Sequence, residues 1–173
     1  PYSHQRDRRE SRDVDSADPG GLFPSWPPDW PEITEAVAEC LSRGDWGRYT
    51  GPAHRRLTSR LANVSQCEHC RLVSSGSVGI EIALRTFGIG SGDEVLLCGY
   101  DYPGNFRAVE AVGARPVLAD ASENSFSLSP TAIDEAQSDR IKAVIVSHLY
   151  GVPAEIAALR QLCDQRGWRL VED

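Results

Sequence analysis

The sequence lacks the features of membrane, secreted and nucleic-acid-binding proteins. No apolar run approaches the roughly 18 residues that a membrane span needs, and no apolar segment follows the N-terminus as in a signal peptide. Acidic residues (25) outnumber basic ones (18), which argues against a surface that binds nucleic acid. The cysteines number five and lie within periodic segments, which is typical of reduced thiols. We therefore expect a cytoplasmic protein with no membrane and no nucleic-acid partner.

Methionine is absent, and lysine occurs once, as Lys142. The chain thus has no initiator residue, and its last three residues, Val171 to Asp173, fall inside an apolar strand pattern. Natural domains rarely end within a buried strand. The sequence therefore predicts a fragment of a longer protein, cut at both ends.

Three segments differ in composition. Residues 1–21 alternate Arg with Asp and Glu and offer almost nothing apolar to bury, which predicts a disordered tail. Residues 22–65 hold an arm rich in Pro and Trp, followed by helices that begin at Pro31 and near Leu57. Residues 66–173 alternate helices with short apolar runs, for which we expect strands at 71–74, 94–98, 115–119, 141–147 and 168–171.

The expected strands are rich in Val, Ile and Leu, and short connections separate them from the helices. These features favour an α/β fold with a mostly parallel sheet sandwiched by helices. Ligands of such sheets bind outside the carboxyl ends of the strands. The sequence places polar and aromatic side chains at these ends, and there we predict a cofactor site: Ser74 to Ser77, Tyr100, Asp101, Tyr102, Asp120, His148, Tyr150 and Asp173.

Each of these side chains also has an ordinary structural interpretation. The serine run opens a helix and suits a phosphate, but serine is equally a common N-cap. Tyr102 stacks on a planar ring or simply covers the sheet edge. His148 binds a ligand or is a hydrogen-bonded structural histidine. Asp173 receives a ring N–H or caps a following helix.

Two other cofactor classes lack the residues that they need. Cys67, His69 and Cys70 resemble half of a zinc site, but no second ligand pair follows at the required spacing. The glycine-rich segment 88–92 follows a helix rather than a strand, which is the wrong context for a nicotinamide cofactor. We predict no metal site.

Five motifs occur in an order and spacing that match one known family. They are Val73 to Ser77 with Ile80 to Arg85, then Gly88 to Val95, Gly113 to Asp120, Ile145 to Ala154 and Val171 to Asp173. On these motifs the chain, from about residue 20 to its end, resembles the DegT/StrS family of pyridoxal-phosphate-dependent sugar aminotransferases.

The resemblance implies a type I aminotransferase-like fold, of which 66–173 would form the N-terminal part of the large domain that binds pyridoxal 5'-phosphate. It implies that Gly76 and Ser77 hold the cofactor phosphate and that Tyr102 stacks on the pyridine ring. Asp173 would pair with the protonated ring nitrogen, so that the ring accepts electrons from the substrate. His148 would lie near this site.

Three positions depart from the pattern of that family. Ser77 stands where Thr is usual, which retains the hydroxyl. Cys98 and Gly99 replace the usual strand-end Pro. Asp101 replaces a Thr just before the stacking aromatic, and a carboxylate beside the ring leaves the substrate preference open.

The implied reaction moves an amino group from an amino-acid donor such as glutamate to a keto-sugar or keto-cyclitol. Such reactions belong to sugar, secondary-metabolite and polysaccharide biosynthesis, and members of the family usually form homodimers. Two alternatives remain open. One is dehydration in the same pocket, with His in place of the Schiff-base Lys; the other is a non-catalytic remnant that serves binding or assembly.

The single lysine lies at the wrong end of its expected strand. Lys142 begins the strand that ends at His148, about 20 Å away at roughly 3.3 Å per residue. A lysine side chain is far too short to cover this distance. We therefore expect the Schiff-base lysine beyond Asp173, and we expect this chain by itself to be inactive.

Overall fold

The computed structural model describes residues 30–122 and 126–173. The chain divides into two compact units, Pro1–Cys70 and Arg71–Asp173. The predicted tail, 1–21, and the arm before Trp30 lie outside the described residues. Within those residues, no helix has the length and apolar character needed to cross a membrane.

The described part of the first unit contains two helices. Helix α1 spans Pro31–Ser42 and helix α2 spans Pro52–Val64. Each begins with a proline in its first turn, where the fixed φ suits the helix and the missing N–H costs no hydrogen bond. No residue of either helix is buried.

The second unit alternates helices with strands. The first half contains α3 (Gly76–Thr86), β1 (Glu94–Cys98), α4 (Pro103–Ala111) and β2 (Arg115–Ala119). The second half contains α5 (Pro130–Glu135), β3 (Ile141–Val146), a short 3-10 helix (Leu149–Gly151), α6 (Ile156–Arg166) and β4 (Arg169–Glu172). The bounds of β1 and β2 are those predicted, and β3 and β4 differ by one residue at their ends.

The strand predicted at 71–74 is wrong, because the structure assigns no strand there. Parallel pairing needs a neighbouring strand, and within the described residues this segment pairs with none. Val73 and Ser74 are exposed. The segment instead leads directly into α3.

The sheet has four parallel strands in the order β2-β1-β3-β4. Helices α3 and α4 cover one face through a core that includes Leu84, Val109 and Leu97. Helices α5 and α6 cover the other face, where Ile133 and Leu159 pack with residues of β1 and β3. The prediction of a mostly parallel sheet sandwiched by helices is confirmed.

A buried carboxylate fixes the amino ends of the strands. Glu94, the first residue of β1, is 1% exposed and forms ion pairs with Arg115 and with Arg140, the latter at 2.7 Å. A hydrogen bond from Ser138, followed by the contact with Arg115, holds the pKa of Glu94 below its usual value. Three segments are therefore tied together at the edge opposite to the predicted site.

Pairing at the other edge continues one residue beyond β4. The backbone N–H of Asp173 donates to the carbonyl of Val146 at 2.9 Å, and that of His148 donates to the carbonyl of Asp173 at 3.0 Å. This edge, where β1, β3 and β4 end, is called the carboxyl edge below. It holds the residues that the sequence analysis assigned to a cofactor.

Candidate functional site

Helix α3 begins at the carboxyl edge with free N–H groups. Ser75 is its N-cap, and the Ser75 hydroxyl accepts a hydrogen bond from the N–H of Val78 at 3.3 Å. The first-turn N–H groups of Gly76 and Ser77 have no acceptor within the helix. Together with the positive end of the helix dipole, they form a place where a phosphate can bind. The capping role that the sequence left open belongs to Ser75.

Ser77 and Tyr102 meet at a glycine of α4. A Cβ atom built on Gly104 would lie 2.5 Å from the Ser77 hydroxyl and 2.8 Å from Cδ1 of Tyr102, and closer still to the neighbouring ring carbon. Real Cβ contacts are never so short, so only glycine permits this packing. The Tyr102 side chain is 60% exposed, which leaves its ring accessible to a ligand.

A groove between α3 and α4 adjoins this contact. Its volume is about 320 Å³, and Ser77, Tyr102, Gly104 and Arg107 line it. Arg107 and Glu81 place one charge of each sign along the groove. A larger cavity of about 660 Å³ lies beside β2 and α5, where Asp120 lines it. Asp120 therefore belongs to a different part of the surface from Ser77 and Tyr102.

Asp173 is held by a buried amide from α4. Nδ2 of Asn105, a residue only 1% exposed, donates to Oδ2 of Asp173 at 2.9 Å. The Ser147 hydroxyl lies 3.4 Å from the same oxygen. The hydrogen bond from Asn105 orients the Asp173 carboxylate.

Asp101 joins the same group of side chains. Its Oδ1 accepts hydrogen bonds from the backbone N–H of Tyr102 at 2.6 Å and from the Ser147 hydroxyl at 2.8 Å, and Nδ2 of Asn105 lies 3.1 Å from it. Its Oδ2 is buried and has no hydrogen-bond partner. Burial, with a smaller contribution from the charge of Asp173, raises the pKa of Asp101.

His148 contacts Asp173 through its backbone, and its ring faces elsewhere. Nδ1 accepts a hydrogen bond from the N–H of Ala154 at 3.1 Å, and Nε2 lies 3.6 Å from a carboxylate oxygen of Glu172. These contacts support the interpretation of His148 as a hydrogen-bonded structural histidine. These contacts leave the expected role near the cofactor untested.

Two tyrosine hydroxyls meet at the carboxyl edge. Those of Tyr100 and Tyr150 lie 2.9 Å apart, and the Tyr100 ring packs against Phe126 with ring centres 5.9 Å apart. The hydrogen bond with Tyr150 raises the pKa of Tyr100. Tyr150 has a φ of 57°, a backbone conformation that residues other than glycine rarely adopt. All three rings are exposed, so they form an aromatic surface around the edge.

Lys142 lies at the opposite edge, as the sequence predicts. Its Nζ donates to the carbonyl of Asp139 at 3.0 Å, near the start of β3. In the described ranges there is no group of three or more His, Cys, Asp and Glu residues that could hold a metal ion.

Sequence reasoning missed Gly104, Asn105 and Ser147. Asn105 and Ser147 are polar residues that prove to be buried, and Gly104 follows directly on the proline that begins α4. A buried polar group must find a partner, but the sequence does not show which helix position or strand end will be buried. Their partners lie up to 68 residues away along the chain.

The sheet order, the free helix N-terminus and the acidic strand end together define an α/β unit of the type I aminotransferase class, as the match to a solved structure shows. That structure is a putative sugar aminotransferase from Streptococcus pneumoniae in its PLP form, with a TM-score of 0.73 and 26% identity. The match covers 87% of this chain and 42% of that one. Residues 29–173 match the DegT/DnrJ/EryC1/StrS aminotransferase family, and the chain belongs to that family.

Two relatives of this chain have names that refer to different sugar-like compounds. The L-glutamine:2-deoxy-scyllo-inosose aminotransferase of Streptomyces kanamyceticus is 36% identical over 157 residues, which cover 86% of this chain and 36% of that protein. The dTDP-3-amino-3,4,6-trideoxy-alpha-D-glucose transaminase of Streptomyces venezuelae is 38% identical over 143 residues, 82% and 37% of the two proteins. The chain thus spans little more than a third of the length of these relatives.

Proposed function

We propose that this chain forms the cofactor-binding part of an aminotransferase that uses pyridoxal 5'-phosphate to transfer an amino group to a keto-sugar or keto-cyclitol. The observation that carries the proposal is the convergence of three kinds of group on one edge of the sheet. These are an anion site at Gly76 and Ser77, an accessible aromatic ring at Tyr102 and an oriented carboxylate at Asp173.

The residues fit this cofactor in shape and in charge. The α3 N-terminus suits the phosphate, and Gly104 lets the Tyr102 ring lie against Ser77, beside the place where a phosphate would bind. Asp173 is an acceptor that Asn105 orients, as recognition of a ring N–H requires. When bound, pyridoxal phosphate serves as the electron sink for loss of the substrate α-proton.

In the proposed mechanism, each residue of this chain binds or orients. Gly76 and Ser77 would bind the phosphate through N–H and hydroxyl groups, and Tyr102 would stack on the pyridine ring. Asp173 would hold a proton at the ring nitrogen. His148 positions Asp173 through the backbone hydrogen bond between them and would lie near this site.

The lysine that reacts with the cofactor aldehyde is not supplied by this chain. Lys142 lies at the opposite edge of the sheet with its amine bound to the carbonyl of Asp139. We propose that this lysine belongs to sequence beyond Asp173, and that the active protein is a cytoplasmic homodimer. The names of the relatives support glutamine as a candidate amino donor beside glutamate.

Binding of pyridoxamine 5'-phosphate to the chain tests the proposal, because this form of the cofactor binds without a lysine. Calorimetry is expected to show binding that Ser77→Ala, Tyr102→Ala and Asp173→Asn each weaken. For Tyr102→Ala the expected loss is about 1 kcal/mol, the typical contribution of ring stacking. Ser42→Ala, which removes an exposed hydroxyl of α1, is the matched control. Equal affinities for all the variants would contradict the proposed site.

A further inference from the structure

Asn105 and Ser147 connect the carboxylates of Asp101 and Asp173. Nδ2 of Asn105 lies within 3.1 Å of one oxygen of each. Ser147 lies 2.8 Å from the Asp101 oxygen and 3.4 Å from the Asp173 oxygen. The two acids therefore lie close to the same two side chains, although they lie at the ends of different strands.

The number of N–H and O–H donors in this cluster decides which hydrogen bonds form. Asn105 offers two N–H groups and Ser147 offers one O–H. The short Ser147–Asp101 distance assigns the hydroxyl proton to Asp101, so that the Ser147 oxygen and Asp173 can each accept one N–H of Asn105. Asp101 thus orients the Ser147 hydroxyl, which in turn orients the Asn105 amide that holds Asp173.

Within the described residues, the ion pairs with N–O distances up to 4 Å include neither Asp101 nor Asp173. Asp101 also keeps one buried oxygen without a partner. A charged group with a buried oxygen that lacks a partner is costly.

We propose that Asp101 is a positioning residue for Asp173, and that the pair makes the subsite opposite Asp173 selective for a cationic ring nitrogen over a neutral ring atom. The inference rests on the proposed function, since it assumes that Asp173 faces the cofactor ring. Asp101 acts in two ways. Its oxygen orients Ser147 and, through Ser147, the Asn105 amide, and its charge adds to the negative potential at Asp173.

Two substitutions separate these effects. Asp101→Asn keeps an oxygen that can accept the hydrogen bond from Ser147 but removes the negative charge. Asp101→Ala removes both. Glu110→Gln, on the exposed surface of α4, removes one negative charge away from the cluster and is the matched control.

The experiment compares two ligands on the 173-residue chain, pyridoxamine 5'-phosphate and its 1-deaza analogue, in which carbon replaces the ring nitrogen. The wild-type chain is expected to prefer pyridoxamine 5'-phosphate. In Asp101→Asn the ratio of the two dissociation constants should fall by about threefold to tenfold, as expected for a lost charge near the surface. In Asp101→Ala both the ratio and the affinity should fall, and Glu110→Gln should match the wild type.

The ¹⁵N shift of the ring nitrogen in bound pyridoxamine 5'-phosphate gives a second readout, which a change in stability alone would not move. In the wild type we expect the shift of a protonated ring nitrogen. In Asp101→Asn we expect a higher fraction of neutral ring nitrogen at the same pH.

The outcomes separate this inference from the proposed function. If Asp173→Asn removes the preference and Asp101→Asn keeps the wild-type ratio and ¹⁵N shift, the role of Asp101 is overturned and the proposed function stands. If Asp173→Asn leaves the preference intact, or if the wild type binds neither ligand, both are overturned.

Discussion

Asn105 donates a hydrogen bond to Asp173 across 2.9 Å, although 68 positions separate the two residues in the chain. The bond links the first turn of α4 to the residue that follows β4. Both elements are short, and neither fixes the position of the other by itself. The cluster around this bond is therefore a product of sheet assembly, and it is the part of the carboxyl edge most open to test.

Replacement of Asn105 should destabilise the chain. Asn105→Ala leaves Asp173 and Ser147 without the amide donor between them, and loss of a buried hydrogen bond to a charged group costs about 1–3 kcal/mol. Urea unfolding measures this change in the free energy of unfolding. Asn63→Ala, at an exposed position of α2, is the control and should stay within about 0.5 kcal/mol of the wild type. A similar small effect at Asn105 would show that the cluster contributes nothing to the fold.

Gly104→Ala should weaken cofactor binding more than it affects stability. The new methyl group would occupy space held by the Ser77 hydroxyl and the Tyr102 ring, and the exposed ring would swing away. Loss of its stacking lowers affinity for pyridoxamine 5'-phosphate about fivefold. Gly79→Ala is the control, since its Cβ would meet only Val73, at an ordinary 3.6 Å. Equal affinity in both variants would place Tyr102 away from the ligand.

Asp101→Asn should make the unliganded chain more stable at neutral pH. Burial raises the pKa of Asp101 above its ordinary 3.8, so the folded state binds its proton more tightly than the unfolded state does. The free energy of unfolding of the wild type therefore falls as pH rises from about 3.8 through the pKa of Asp101 in the folded state. The Asp101→Asn variant has no carboxyl at this position and does not show this fall. Thermal unfolding of both chains between pH 3 and pH 8 measures it. The two curves should diverge as pH rises; parallel curves would refute the burial argument.

Glu94 should make the fold sensitive to acid. Hydrogen bonds from Ser138 and Arg115 lower its pKa below the ordinary 4.5, so its contribution to stability is present above that value and is lost as pH falls through the folded-state value. Glu94→Gln removes the charge that Arg115 and Arg140 contact and should cost about 1–3 kcal/mol at pH 7. The difference from the wild type should shrink below pH 4 in the same unfolding assay. A constant difference would assign the effect to packing alone.

Lys142 should not act as the cofactor lysine. Its amine lies at the opposite edge of the sheet from Asp173, bound to the carbonyl of Asp139. Borohydride reduction of the chain with pyridoxal 5'-phosphate, followed by peptide mapping, should show no stoichiometric adduct at Lys142. The chain should also show no transaminase turnover, and Lys142→Arg should retain the affinity for pyridoxamine 5'-phosphate. A site-specific adduct together with turnover would reverse the placement of the site.

Local sequence determined most of the secondary structure of this protein. The run from Glu94 to Cys98 is apolar after its first residue and lies between Gly-Asp and Gly turns, so its bounds as a strand follow from neighbours in sequence. Prolines in the first turn set the starts of α1 and α4 in the same way. The order of motifs also indicated the family, because each motif is a short segment readable by itself.

Tertiary structure decided the rest. Residues 71–74 have the composition of a strand, but a strand exists only where a partner pairs with it. Asn105 and Ser147 gave no signal in the sequence, because burial and hydrogen-bond partners at separations of 42 and 68 residues depend on how the sheet assembles. The sequence thus determined which residues end each strand. Only the packed sheet decided which of their side chains lie within hydrogen-bond distance of Asn105.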